Sequence, residues 1–214
     1  FMACQQGSVD AARLLLEKGA DVSRAQNQGT TPLAIAKSKG HSSIVALLEE
    51  HLDSKFPLHA AARTGDVEAM TQLLDGGAAV DQAKGDGTTA LFVACEHGHV
   101  DLVRLLLDKG AEVDRATDDG TTPLIVACEH GHVYAARLFL DKVADVNRAR
   151  KDGQTPLFAA CEKGHVDAAR LLLENGAEVD RATKRGDTPL SIAKSQGHSS
   201  IAALLKKHSR SSGV

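Results

Sequence analysis

The sequence predicts an all-α solenoid of stacked antiparallel helix pairs, joined by β-hairpin fingers. Three observations predict it. Gly87, Gly120, Gly153 and Gly186 recur at a period of 33 residues with closely similar text between them, and a fixed period of roughly 20–50 residues marks a repeat array. Thr-Pro-Leu stands at 122–124, 155–157 and 188–190. Gly-His stands at 98–99, 131–132, 164–165 and 197–198, so a start signal and a turn signal alternate along the chain.

One unit shows how each element arises. Gly120-Thr121-Thr122-Pro123-Leu124 opens it: Thr122 is placed to cap a helix, and Pro123 sits at the first helical position, where a missing N–H costs nothing. A short helix is expected from Pro123 to about His130. Gly131-His132 breaks it, and a second helix starts at Val133, with Val133, Ala136, Leu138, Phe139 and Leu140 as the buried stripe and Arg137 facing out. That helix should end in glycine, as at Gly110 and Gly176, because a left-handed C-cap is easiest without a Cβ. Val143 stands in that slot, so strain or a reshaped finger is expected between Val143 and Asn147. A polar finger such as Val113 to Asp119 leads to the next unit.

Composition narrows the functional classes. The 214 residues are 43% apolar, enough to build a core, and no stretch approaches the roughly 18 apolar residues of a membrane span. A net charge of -3 with five Phe and one Tyr lacks the basic, aromatic footprint of a nucleic-acid binder. Cys95, Cys128 and Cys161 recur in one slot, which Cys4 also fills. Equivalent positions in stacked helices lie about 8–10 Å apart, too far for a bridge, so these cysteines read as small core residues of a reducing, intracellular compartment, cytoplasmic or nuclear.

With Gly-Ala-Glu-Val-Asp at 110–114 and 176–180, the motifs together resemble the ankyrin repeat family over almost the whole chain. The resemblance implies a non-enzymatic scaffold that binds another protein or peptide on its concave finger and first-helix surface. It also implies that His41, His99, His132, His165 and His198 tie the loops of adjacent repeats together. There are departures from the pattern: the His after Pro-Leu survives only as His59, being Phe92, Ile125, Phe158 and Ser191 elsewhere, and Ala90 replaces the helix-starting Pro.

About seven repeats are expected, the first truncated. Cys161, Val166 and Leu173 become Lys194, Ser199 and Lys206 in the last unit, as suits a face with no further neighbour. The same slots are Lys37, Ser42 and Glu49 in the second unit, so cap chemistry is written into the interior. Gln72 and Gly65-Asp66 give the following unit an N-cap character, and about eight finger residues are missing between Glu49 and Leu58. The expected organisation is therefore two repeats over 1–52 ending in a cap-like unit, then five over 56–214. Those five are an N-cap-like unit at 56–86, units at 87–119, 120–152 and 153–185, and a C-terminal cap at 186–208 with a flexible tail. Residue 1 aligns with Phe92 in mid-helix, so the chain reads as a piece of a longer one. The face carrying Leu14 is expected to be sticky and to support self-association.

The candidate partner-binding residues are the positions of that surface that vary between repeats. They are Asp86, Thr88, Glu96 and His97; Asp118, Asp119, Thr121, Glu129 and His130; Lys151, Asp152, Gln154, Glu162 and Lys163; and Lys184, Arg185 and Asp187. Charge along this row runs from acidic to basic, which would orient a partner of opposite pattern. Arg24, Arg115, Arg148 and Arg181 form a separate ladder, read as ion pairing across fingers.

No catalytic, cofactor or metal site is expected. Glu96-His97-Gly98-His99 and Glu129-His130-Gly131-His132 carry zinc-ligand residue types, but His99 and His132 fall in the turn slot. His97 and His130 read as contact residues. Arg185-Gly186-Asp187 has the form of an adhesion tripeptide only because Gly186 is the repeat glycine. Two other readings stand beside the scaffold: the substrate-recruiting part of a larger enzyme, and an engineered binder. Framework variation at Val143, Ala90 and Gln72 argues against the second.

Overall fold

The structure is a computed structural model, and it describes residues 1–24, 26 and 30–211, apart from the side chains of Arg210 and Ser211. Among the described residues there are fourteen helices and no strands, the all-α repeat solenoid expected. The chain divides into two compact units, Phe1–Ala90 and Leu91–Val214. The first holds α1 (Met2–Gln6), α2 (Val9–Glu17), α3 (Pro32–Ser38), α4 (Ser42–Lys55), α5 (Pro57–Thr64) and α6 (Val67–Asp75). From Ala90 onward come α7 (Ala90–Glu96), α8 (Val100–Asp108), α9 (Pro123–Glu129), α10 (Val133–Asp141), α11 (Pro156–Lys163), α12 (Val166–Glu174), α13 (Pro189–Ser195) and α14 (Ser199–Ser211). α14 thus runs past the 208 boundary expected for a tail, and residues 212–214 of that tail lie outside the described residues.

In the second unit the start signals work as read. Thr122 Oγ1 accepts from Ile125 N–H at 3.2 Å, Thr155 Oγ1 from Phe158 N–H at 3.1 Å, and Thr188 Oγ1 from Ser191 N–H at 3.1 Å. Each satisfies an N-terminal donor that the helix itself leaves unpaired. α11 packs on α9 and on α13, and α12 on α10 and on α14. Residues 123–128 and 156–161 are buried without a break. Side chains such as Leu124, Ile125, Phe139, Leu157 and Leu172 are almost wholly enclosed, each contributing about 1.5–3 kcal/mol of transfer free energy. Cys95, Cys128 and Cys161 are buried free thiols of this core, and burial pushes the Cys161 thiol up to about 12.

The Gly-His turns are stitched to the repeat before them. His132 Nε2 donates to the Glu96 carbonyl (3.3 Å), His165 Nε2 to that of Glu129 (3.0 Å) and His198 Nε2 to that of Glu162 (3.1 Å). In the first unit His41 Nε2 reaches the Gln5 carbonyl at 3.3 Å. Glycine is needed here on two counts. Gly131 has φ 72°, and a Cβ on it would lie 2.6 Å from His165 Nδ1.

The expected β-hairpin fingers are a point of difference. Each tip closes on two backbone bonds at one residue, Thr117 N–H to Thr121 O (3.0 Å) with Gly120 N–H to Thr117 O (2.8 Å), repeated at Arg150 with Gln154 and Gly153 (both 2.9 Å) and at Thr183 with Asp187 and Gly186 (both 2.9 Å). That is too little pairing to extend a ladder, so among the described residues the fingers are turns. Consecutive tips are joined by Lys151 N–H to Asp119 O (2.9 Å) and Lys184 N–H to Asp152 O (2.8 Å).

One finger slot separates an amide from a carboxylate. Asn147 Oδ1 accepts from Glu178 N–H at 2.9 Å and Asn147 Nδ2 donates to the Gly176 carbonyl at 3.4 Å. One repeat earlier, Asp114 Oδ2 accepts from Asp145 N–H at 3.0 Å, but its Oδ1 is buried with no partner. By repeat equivalence that oxygen faces the Val143 carbonyl, acceptor against acceptor. Asp114→Asn supplies the missing donor and is expected to stabilise the second unit by about 1 kcal/mol; an unchanged or lower urea midpoint would contradict it.

The first unit departs from regular stacking. α3 packs on α1 and α4 on α2, but α5 packs chiefly on α4 and α6. Lacking a finger, the chain continues α4 to Lys55, and Phe56 closes α4 and opens α5. The Phe56 ring is buried, edge-on to His59 at 5.3 Å, with Asp53 and Arg63 ion-paired beside the junction. Lys37 and Glu49, two of the interior cap slots, pair with each other at 3.0 Å and line a shallow groove with Ser42, Val45 and Ala46. The finger after α6 reaches back to the first one, where Gly85 N–H donates to Ser23 Oγ at 3.1 Å.

Candidate protein-binding surface

In the second unit, the last turn of α9 and the finger tips at 117–121 and 150–154 converge on one side chain. Arg150 Nε donates to Thr121 Oγ1 at 2.8 Å, and its Nη1 donates to Gln154 Oε1 at 3.1 Å. Nη1 also lies 3.7 Å from Glu129 Oε2, and Nη2 lies 3.9 Å from Asp119 Oδ2. Lys163 Nζ stands 3.8 Å from both Glu129 Oε1 and Glu162 Oε2. Four sequence candidates, Asp119, Thr121, Glu129 and Gln154, are thereby gathered around an arginine that sequence reasoning passed over, and Lys163 with Glu162 joins them through Glu129. A signal existed, since the slot reads Thr117 and Thr183 in the neighbouring repeats. These ion pairs are longer than hydrogen bonds and partly exposed, so each contributes roughly 0–1 kcal/mol. Their importance is in which charges they leave over.

Asp119 is the most constrained acid of the row. Burial works to raise its pKa, but hydrogen bonds from Thr117 Oγ1 and from Thr121 N–H and Oγ1, together with the Arg150 charge, outweigh burial and hold the carboxyl below the usual aspartate range. Asp152 Oδ1 accepts from Gln154 N–H at 3.0 Å. Asp187 N–H donates to Thr183 Oγ1 at 3.3 Å.

The remaining candidates are not drawn into the cluster. Glu96, Asp118, Lys151, Lys184 and Arg185 are exposed, and their side chains make no ion pair among the described residues. His97 and His130 each use Nδ1 on the carbonyl four residues back, Val93 O and Val126 O, both at 3.0 Å. Their rings stack at 6.0 Å on His99 and His132. Among the described residues no three His, Cys, Asp or Glu side chains are arranged to hold a metal ion. In the first unit, Asp86 Oδ1 accepts from Thr88 N–H at 2.9 Å, and the Thr88 carbonyl accepts from His59 Nε2 at 2.9 Å.

Of the arginine ladder, Arg115 and Arg181 lie beside acids of their own fingers, at 3.2 Å from Glu112 and 4.0 Å from Glu178. Arg181 also donates across to the Asn147 carbonyl at 2.9 Å.

A family model described as ankyrin repeats (three copies) matches residues 1–57, 58–150, 112–183 and 144–213. The chain belongs to the ankyrin repeat family. Ankyrin repeats are in general protein–protein interaction modules, and ankyrin repeat proteins are typically non-enzymatic. No curated protein matches this ankyrin repeat chain. Among its described residues no helix is long and apolar enough to cross a membrane.

Proposed function

We propose that this chain is a non-enzymatic scaffold that holds a protein partner on the finger and first-helix surface of its second unit, with Asp86 and Thr88 presenting the equivalent surface of the first. The observation that carries the reading is a division of labour. Slots repeated in every unit are consumed by stacking, capping and stitching. Slots that vary between repeats are gathered around Arg150 or stand exposed, with the exception of Thr121, which is 3% exposed and spends its hydroxyl on Arg150 and Asp119. An affinity pull-down from cell lysate compares the chain with a variant carrying Ala at Glu96, His97, Glu129, His130, Lys163 and Arg185. A protein retained by the parent alone supports the reading, and equal retention, or none by either, overturns it.

A second contact, between copies of this chain, is favoured by a controlled comparison. Val9–Glu17 and Val166–Glu174 have the same nine residues. Leu171 and Leu172 are 3% and 0% exposed, whereas the matching Leu14 and Leu15 are 56% and 48% exposed beside a 70% exposed Met2. The exposure therefore comes from the setting of the helix and not from its sequence, since no other helix among the described residues covers that face, and apolar area of this kind drives association. Sedimentation at increasing concentration should show dimer that Leu14→Glu abolishes; a monomer throughout would rule it out.

We also propose that 1–52 and 56–214 are two arrays, on the strength of the Lys37–Glu49 pair on a cap-like face, although α5 and α6 share the compact unit Phe1–Ala90 with the first block. A urea titration in which the block before residue 55 unfolds first would agree with it, and a single coincident transition would not.

A further inference from the structure

The row of candidate residues reads in sequence as a dipole, acidic at one end and basic at the other. Contacts in the second unit alter that balance. Glu129 faces both Arg150 and Lys163 within 4 Å, and Asp119 is held by Thr117, Thr121 and Arg150. Much of the acidic charge is thus compensated inside the fold.

At the basic end, among the described residues, no cation is held in an ion pair, and a net positive charge is left over. Lys184 N–H donates to Asp152 O at 2.8 Å, which sets the tips carrying Lys151 and Lys184-Arg185 side by side. All three side chains are exposed and make no ion pair among the described residues. Of the carboxylates on those tips, Asp152 accepts from its own backbone at Gln154 N–H and, like Asp187, is exposed, so three cations stand against two carboxylates. Glu96 and Asp118 remain exposed and unpaired on the upstream side. An anionic partner is repelled there and retained on the two downstream tips.

Spacing sets the form of that partner. Equivalent positions of stacked helices are about 8–10 Å apart, and an extended chain rises about 3.3 Å per residue. Carboxylates three residues apart therefore match tips one repeat apart. We infer that the tips bearing Lys151, Lys184 and Arg185 dock an extended acidic segment of a partner protein, with carboxylates at about every third residue. This rests on the proposed reading of the surface as a protein-binding one.

The test is fluorescence anisotropy of the full chain with a labelled 12-residue peptide carrying Glu at every third position among Ser and Gly. Binding is expected to weaken at least tenfold in the variant Lys151→Glu/Lys184→Glu/Arg185→Glu. It should change less than twofold in Arg104→Glu/Arg137→Glu/Arg170→Glu, which makes the same change in net charge at exposed positions of α8, α10 and α12. Equal weakening in both variants, no binding, or tighter binding of a Lys-for-Glu peptide overturns the inference. Tighter binding of a single-stranded oligonucleotide also overturns it, in favour of a nucleic-acid ligand. Failure here, with parent-only retention still seen in the lysate pull-down, removes the acidic-segment inference and leaves the scaffold reading standing; failure of both removes the scaffold reading as well.

Discussion

Lowering the pH from about 6.5 to about 4 is expected to remove about 3 kcal/mol of stability from the first unit through His59 alone. The ring is 3% exposed, its Nε2 donates to the Thr88 carbonyl at 2.9 Å, and its Nδ1 is buried with no partner. Burial, helped by the nearby Lys84 charge, pulls its pKa from 6.5 down to about 4, against the opposing effects of the Thr88 hydrogen bond and Asp86. The folded state thus holds the ring neutral where the unfolded chain protonates it. Its contribution is complete above about pH 6.5, shrinks as pH falls through the window, and is gone below about 4, at about 1.4 kcal/mol per unit. Other groups titrate in the same range, so the measurement is a difference. Amide exchange of α5 and of residues 77–88 is followed against pH in the parent and in His59→Gln, whose amide can keep the bond to Thr88. Parallel pH dependence in the two proteins would remove His59 as the cause.

His59 also shows where the sequence was legible and where it stopped being so. Its slot was visible as the one surviving His after Pro-Leu. The Thr that opens other units is replaced here by Phe56, and that leaves a threonine-capped start at α9, α11 and α13 but an uncapped one at α5. Period and caps could be read because each depends on residues within one repeat or one period away, whereas the stitching by the Gly-His turns was expected only from the resemblance to ankyrin repeats. The missing finger before Leu58 was also countable. The extension of α4 through Lys55 was not, because cap motifs do not say whether spare residues will add helix or loop. Arg150 was missed for a related reason: its partners lie 4, 21, 29 and 31 residues away in Gln154, Glu129, Thr121 and Asp119. A substitution at a threonine slot looks like surface drift until the repeats are stacked. The direction of the charge row was legible, but which charges neutralise one another was not, and that distinction changes the expected partner from a dipolar segment to an acidic one.

Val143→Gly is expected to stabilise the second unit by about 1–2 kcal/mol. Among the described residues Val143 is the one non-glycine at positive φ, 65°, in the slot where Gly110 and Gly176 take 88° and 85°. Of the two outcomes open in the sequence, strain or a reshaped finger, the geometry shows the first. Val143 N–H still donates to Leu140 O at 3.0 Å and Ala144 N–H to Phe139 O at 3.0 Å, as Gly110 does to Leu107 O and Ala111 to Leu106 O. The backbone keeps the glycine conformation and carries the clash of a β-branched side chain, worth about 1–3 kcal/mol in the left-handed region. Nothing is gained in return from packing, since Val143 is 86% exposed. Glycine adds freedom to the unfolded chain, which offsets about 0.5–1 kcal/mol of the relief. Urea unfolding should show a higher midpoint with an unchanged slope, and Val143→Ala should fall between the two because it keeps a Cβ but loses the branch. If Gly lowers the midpoint, the valine side chain makes a stabilising contact of its own, and its exposed position would point to a neighbour outside this unit.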